Sequence, residues 1–267
     1  MDSKRWALIA RLSANDFRKK YAGSYLGRIW ALAQPVVTVA MYYVVFDRIF
    51  GAVPPITEEG GRVTYVAWLT AGLVPWFFIS ESLNSGLMAL LDYSYLVKKV
   101  VFDIDTLPLI KVMGAVYTHL IFVGVYLILF FVTGCKAFPT MIQIVYYSFA
   151  AAVLSLALSY FNAAVVVFFR DLQQIVSILL QLLMWGTPIL WDVSMVGDGT
   201  TGKIAGIITY LNPFAYIVMG YRTASFEGKW FWELGSRNLY FWGLTLFLLF
   251  VNRRLFKRLK PHFADVL

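Results

Sequence analysis

Few residues in this chain have the type and spacing for chemistry. GDGTTGKI, residues 197–204, satisfies G-x-x-x-x-G-K at Gly197, Gly202 and Lys203, and G-x-G-x-x-G at Gly197, Gly199 and Gly202. A working phosphate loop needs Ser or Thr after the lysine to hold magnesium, and a strand before the glycines. Ile204 stands where the hydroxyl should be, so the stretch reads as a turn. No H-E-x-x-H and no G-x-S-x-G occurs. The single cysteine, Cys135, excludes an internal disulfide and any cysteine-rich metal site. His119 and His262 lie far apart and argue against a histidine zinc centre. Glu81 and His119 are left, each inside an apolar run. Ionisable groups in such runs face an interior. Glu81 is either a hydrogen-bonded packing residue or part of a polar route. His119 reads as a packing residue rather than a proton relay.

The elements that carry these residues are membrane spans. Of 267 residues, 60% are hydrophobic and 14% charged, and the mean hydropathy is +0.70. That balance is too apolar for a soluble domain. The formal charge of +8 is spread over span ends, which fits membrane topology and not nucleic acid. No cleavable leader is expected, because the first apolar run follows 28 mostly polar residues and is long enough to span.

Residues 3–21 predict an amphipathic helix. Trp6, Ala10, Phe17 and Tyr21 share one face, and Lys4, Arg11 and Arg18 share the opposite one, with Lys19 beside them. A basic helix of this kind ahead of the first span lies in the cytoplasmic interface. Six spans are expected: Ile29–Phe46, Val63 through Ser80 with a polar continuation to Leu91, Val112–Cys135, a span within Ala137–Phe169, Leu172–Trp191 and Asn238–Asn252. Glu81, Asn84, Ser85 and Met88 form a polar stripe on the second. Tyr42, Tyr43, Phe46, Phe50, Trp76, Phe77 and Phe78 make either interface belts or a sugar-stacking wall. Ile204–Tyr221 is apolar but broken by Asn212–Pro213, and predicts two short helices dipping into the outer leaflet. Six spans put 16 of the 23 Lys and Arg on one side, making that side cytoplasmic.

Asp92–Pro108, DYSYLVKKVVFDIDTLP, is too charged for lipid and too apolar for a solvated loop. Tyr93, Tyr95, Leu96, Lys98, Lys99, Phe102 and Asp103 either tuck against neighbouring helices or meet another protein.

Several segments taken together resemble the permease subunits of ABC-2 polysaccharide exporters: DFRKKYAGSYLGRIWALAQP (16–35), YLVKKVVFDIDTLP (95–108), FFRDLQQIVSILLQLLMWGTPILW (168–191) and LNPFAYIVMGYR (211–222). YSYLVKKVVF and the GYR…FEGKWFWE stretch (220–233) look closer to the wall teichoic acid branch than to the O-antigen branch. Asp103 stands where the family often has Pro. The resemblance implies an all-α polytopic fold forming one transmembrane domain over 1–267. Its parts would be an N-terminal cytoplasmic interface helix (1–28), a coupling segment (92–108) and an extracytoplasmic gate region (192–235) with Asn212, Pro213, Tyr216 and Arg222. It implies a homodimer with two copies of a separate P-loop ATPase, which holds the ATP and magnesium. This chain would then be non-catalytic, without cofactor or metal. The substrate would be an undecaprenyl-diphosphate-linked anionic polymer, a wall teichoic acid or similar polysaccharide, crossing a bacterial cytoplasmic membrane in which both termini face the cytoplasm. Tyr42, Phe46, Trp76, Phe77, Glu81 and Asn84 are the candidate pathway residues.

Other readings are an O-antigen permease, an ABC-2 exporter of a small lipid or drug, a stand-alone channel, and an integral-membrane enzyme on lipid-linked sugars. The last would draw on Glu227 and Glu233.

Overall fold

The computed structural model describes residues 3–20, 25, 27–51, 63–98, 102–197 and 199–267. Among these residues every regular element is a helix. Tyr21 and Lys99 lie outside them.

Helix α1 (Ser3–Lys20) is amphipathic as expected, but a different face is covered. Ile9 and Ser13 are buried, with Leu12, Asp16 and Phe17 beside them, while Trp6 and Ala10 are exposed. The packed ridge follows i, i+4 and i+7 from Ile9 and lies along α6 (Leu107–Val132). A count of large side chains favours Trp6, but the neighbouring helix selects Ile9.

Helix α2 (Trp30–Tyr42) continues as a π-helical stretch to Ile49. Helix α3 (Tyr65–Leu87) is the central element, buried along most of its length and touching α6, α7 (Gln143–Val166) and α10 (Pro213–Arg222). Short helices α4 (Ala89–Asp92) and α5 (Ser94–Val97) follow, then a 3-10 turn at Ile104–Thr106. Beyond α7 come α8 (Leu172–Gly186), α9 (Thr200–Leu211), α10, α11 (Ser236–Leu259) and α12 (Phe263–Val266).

Four of these segments are long and apolar enough to cross a bilayer: α3, α6 with its preceding turn, α7 with its preceding turn, and α11 with the short helices after it. The six-span expectation is therefore met in part. The apolar helix α8 has 15 residues, short of the roughly 20 that a straight crossing needs, whereas the 13 residues of α2 are lengthened by the 7 of its π-helical continuation. The pair α9–α10 is bent by 96° at Asn212, which is the expected two short helices. Asn212 causes the break: its Oδ1 accepts from the backbone N–H of Phe214 at 2.9 Å, capping α10, and Pro213 occupies the first turn.

The described residues form two apolar cores. The larger joins α3, α6, α7 and α10. The smaller gathers Ile9, Leu90, Tyr93, Val97, Ile104, Leu107, Tyr160, Phe256 and Phe263 around the 92–108 segment. The helices touch closely where glycine allows it. A Cβ at Gly86 would lie 2.1 Å from Ser159 Oγ, and one at Gly220 would lie 2.1 Å from the Tyr147 ring.

Candidate functional site

A cavity of about 1490 Å³ opens between α1, α2, α3 and α6. Apolar rings from Phe17, Trp30, Phe77 and Phe122 share its wall with Asp16, Lys19, Lys20, Glu81, Asn84, Asp92, Lys111 and Gln173. The polar stripe of α3 supplies one side: Ser80, Glu81, Asn84, Ser85 and Met88 all line it. The i, i+3, i+4 and i+7 spacing of Glu81, Asn84, Ser85 and Met88 sets them together on this wall.

All the charged wall residues but Lys19 fall in two knots. In the first, Lys20 Nζ lies 2.7 Å from Glu81 Oε1, and Thr118 Oγ1 donates to the same oxygen at 3.2 Å. Glu81 is therefore hydrogen-bonded and cavity-lining at once. In the second, the buried Lys111 reaches Asp92 Oδ2 at 2.8 Å and Asp16 Oδ1 at 3.0 Å. The Tyr93 hydroxyl donates to Asp16 at 3.0 Å. Burial, followed by the negative charge of Asp16, pushes that hydroxyl well above the ordinary tyrosine value. It stays protonated and remains a donor. Lys111 thus ties α6, α1 and the end of α4 together at the cavity edge.

The 92–108 residues divide by exposure. Tyr93 and Val97 are buried in the smaller core, and Leu96 and Phe102 are half-buried against it. Tyr95 is 54% exposed and Lys98 is exposed. Asp103 pairs with Arg5 and lies 3.6 Å from Lys260, and Lys260 reaches Asp105 at 2.6 Å. The segment is therefore held by Arg5 and Lys260, and among its described residues Tyr95 and Lys98 are exposed without an ion pair, while the exposed Asp92 and Asp103 are paired. Arg11 and Arg18 are exposed on α1, away from the cavity.

The sequence-predicted aromatics do not form one wall. Phe77 lines the cavity, 5.8 Å from Phe122. Trp76 is buried edge-on to Phe214, and Phe46, in the π-helical stretch after α2, meets Tyr42 edge-on and Tyr65 at a tilt. Asp16, Lys20, Lys111, Thr118 and Trp30 are wall residues that sequence reasoning missed. The available signal was Lys111, which sits at the head of an apolar run and needs a buried partner there.

The residues expected in a gate region make separate polar contacts. Asn212 Nδ2 donates to Thr187 Oγ1 at 3.0 Å. The Tyr216 hydroxyl lies 3.0 Å from both Tyr146 Oη and Asn238 Oδ1, and Trp242 donates to Tyr146 at 2.7 Å. Arg222 is buried against Trp68.

GDGTTGKI runs into α9 after a 3-10 turn at Val193–Val196, not after a strand. Among the described residues no group of His, Cys, Asp and Glu has the arrangement of a metal site. Glu227 pairs with Lys229 at 2.7 Å and Glu233 accepts from the backbone of Trp230 at 3.2 Å, so each is engaged locally. His119 is buried against Ser148 and Tyr221, at 2.9 and 3.0 Å.

Comparison with known proteins reaches across this architecture. The profile of the ABC-2 type transporter family matches residues 7–226. An "O-antigen export system permease protein RfbA" of Klebsiella pneumoniae is 28% identical over 261 residues, covering 97% of this chain and 95% of the relative. A protein of the same name from Myxococcus xanthus is 28% identical over 228 residues, covering 83% of this chain and 81% of its own.

Proposed function

The chain belongs to the family of ABC-2 type transporters, and from that premise we propose that it is the membrane-spanning subunit of an ATP-driven exporter of a lipid-linked polysaccharide. The polymer is of the O-antigen type, as the names of the relatives suggest. A wall teichoic acid is the second reading, favoured by YSYLVKKVVF and FEGKWFWE.

One observation carries the mechanism. The cavity wall and the 92–108 segment share Lys111, through its pairing with Asp92 and Asp16. An ATPase pressing on Tyr95 and Lys98 moves α4 and α5, and Asp92 passes that movement to Lys111 and α1. The cavity then changes shape at the face where substrate enters. A sugar-phosphate polymer cannot cross hydrocarbon alone, since each buried charge costs at least ~2.5 kcal/mol. The wall's carboxylates, ammonium groups and amides replace water for the polar part. Phe17, Trp30 and Phe77 suit the apolar faces of sugar rings or the carrier lipid. Nucleotide can drive the cycle only if it prefers one arrangement of the ATPase pair.

In this reading the chain is a non-catalytic homodimer with two P-loop ATPase subunits, and those subunits hold the ATP and magnesium. It sits in a bacterial cytoplasmic membrane with both termini on the cytoplasmic side. The carrier is undecaprenyl diphosphate.

The test is depletion of the chain in its native host. Surface polysaccharide should disappear while its lipid-linked form accumulates on the cytoplasmic face. Unchanged surface polymer, with retention of a small lipid or drug instead, refutes the polysaccharide assignment.

A further inference from the structure

On α11 one outward face changes character along its length. At about 100° per residue, Leu239, Leu246, Phe247, Phe250 and Val251 share an arc of roughly 160° with Arg253, Arg254, Lys257 and Arg258. All nine are exposed. The opposite arc carries Phe241, Thr245, Asn252 and Phe256, which are buried, and Asn252 Nδ2 donates to Ala157 O at 3.0 Å. The helix therefore turns one side to α7 and leaves a ribbon that is apolar first and basic at its end.

The four cations differ from their neighbour Lys260. Lys260 turns inward to Asp105 and Asp103. None of the four makes an ion pair with a described residue. Their spacing of i, i+1, i+4 and i+5 sets them in two adjacent rows, so their charges reinforce one another along one stripe.

What covers this face must satisfy both halves at once. An acidic protein surface would neutralise the cations but leave Phe247 and Phe250 uncovered. A bilayer covers both, with hydrocarbon over the apolar part and headgroups over the basic part. The long Lys and Arg stems reach along that boundary. We propose that the end of α11 binds the phosphate headgroups of anionic phospholipids in the adjoining leaflet, with Arg253, Arg254, Lys257 and Arg258 as the recognising residues.

The site has a consequence for the segment described above. The same turns of α11 bear Phe256, which packs on Tyr160 and Phe263, and lead directly to Lys260. Headgroup binding fixes the depth of this helix end and so steadies the Asp103–Asp105 turn.

The test uses the full chain purified with whatever partner accompanies it, delipidated in mild detergent. It is then titrated separately with phosphatidylglycerol and phosphatidylcholine, with bound lipid counted by native mass spectrometry. A basic residue near the surface contributes about fivefold in preference for anionic lipid, so the wild type should favour phosphatidylglycerol by about tenfold or more. The variant R253Q/R254Q/K257Q/R258Q should lose that preference. The variant R253K/R254K/R258K, which keeps the charge, should retain it, and so should K136Q/K203Q at the other end of the spans. Equal uptake of the two lipids by the wild type overturns the proposal. So does an undiminished preference in the glutamine variant. Loss of the protein partner from that variant, with lipid preference intact, assigns the stripe to protein docking and also overturns it.

Discussion

The guanidinium of Arg222 lies 3.5 Å from the centre of the Trp68 ring, and its nitrogens donate to the main-chain oxygens of Trp68, Pro188 and Ile189. One side chain at the end of α10 thereby holds the start of α3 and the irregular turn after α8. Gly72 makes room for it, since a Cβ there would come within 2.9 Å of Nη2. A backbone break among apolar helices leaves carbonyls without helical partners, and it persists only where another donor reaches them. Arg222 is that donor.

Replacing Arg222 should therefore cost more than its size suggests. Each carbonyl left buried without a donor costs about 1–3 kcal/mol. R222A should lower the thermal midpoint of the purified chain markedly. R222K, which keeps a cation over Trp68, should lower it less. Equal midpoints for wild type and R222A would contradict the clamp.

Tyr95 and Tyr93 stand two residues apart and should respond in opposite ways. Tyr95 is exposed, so Y95A should leave stability within about 0.5 kcal/mol of wild type. It should weaken retention of the ATPase on an affinity column. Y93A removes a buried ring and the donor to Asp16, and should destabilise the chain by about 3–5 kcal/mol, as large aromatic truncations do. A Y95A chain that keeps its ATPase at full occupancy and exports normally would remove Tyr95 from the coupling role.

Lys111 links the cavity to the 92–108 segment through two carboxylates. Its side chain is 7% exposed, but Asp92 is 44% exposed, so water screens part of the pair. Allowing for that screening, K111M should cost about 1–3 kcal/mol, less than a fully buried broken pair. Export should fall several-fold in an assembled complex that still hydrolyses ATP. Hydrolysis and export falling in equal proportion would indicate lost assembly instead.

The close approach of α10 to α7 gives a steric check on the core. An alanine at Gly220 would place its Cβ 2.1 Å from the fully buried Tyr147 ring. Overpacking of this kind costs about 1–3 kcal/mol. The double variant G220A/Y147L should recover part of the loss, and failure to recover would place the strain elsewhere.

The sequence by itself determined the class of this protein. Apolar run length and the scarcity of charge force helices across a bilayer, because no other open structure satisfies its own backbone there. The Asn212–Pro213 break was legible for a local reason: Asn caps and Pro opens a helix whatever surrounds them. The polar stripe of α3 was legible from periodicity alone. Tertiary structure decided which residues meet. Ile9 rather than Trp6 faces inward on α1, because α6 offers the partner surface on that side. Trp76 joins the core while its neighbour Phe77 lines the cavity, a difference of one step around a helix whose surroundings differ on every side. Lys111, Asp16 and Asp92 lie on three separate elements, and no spacing along the chain relates them. Their pairing exists only because α1 lies along α6 beside the end of α4, where a buried ammonium group requires carboxylates within reach.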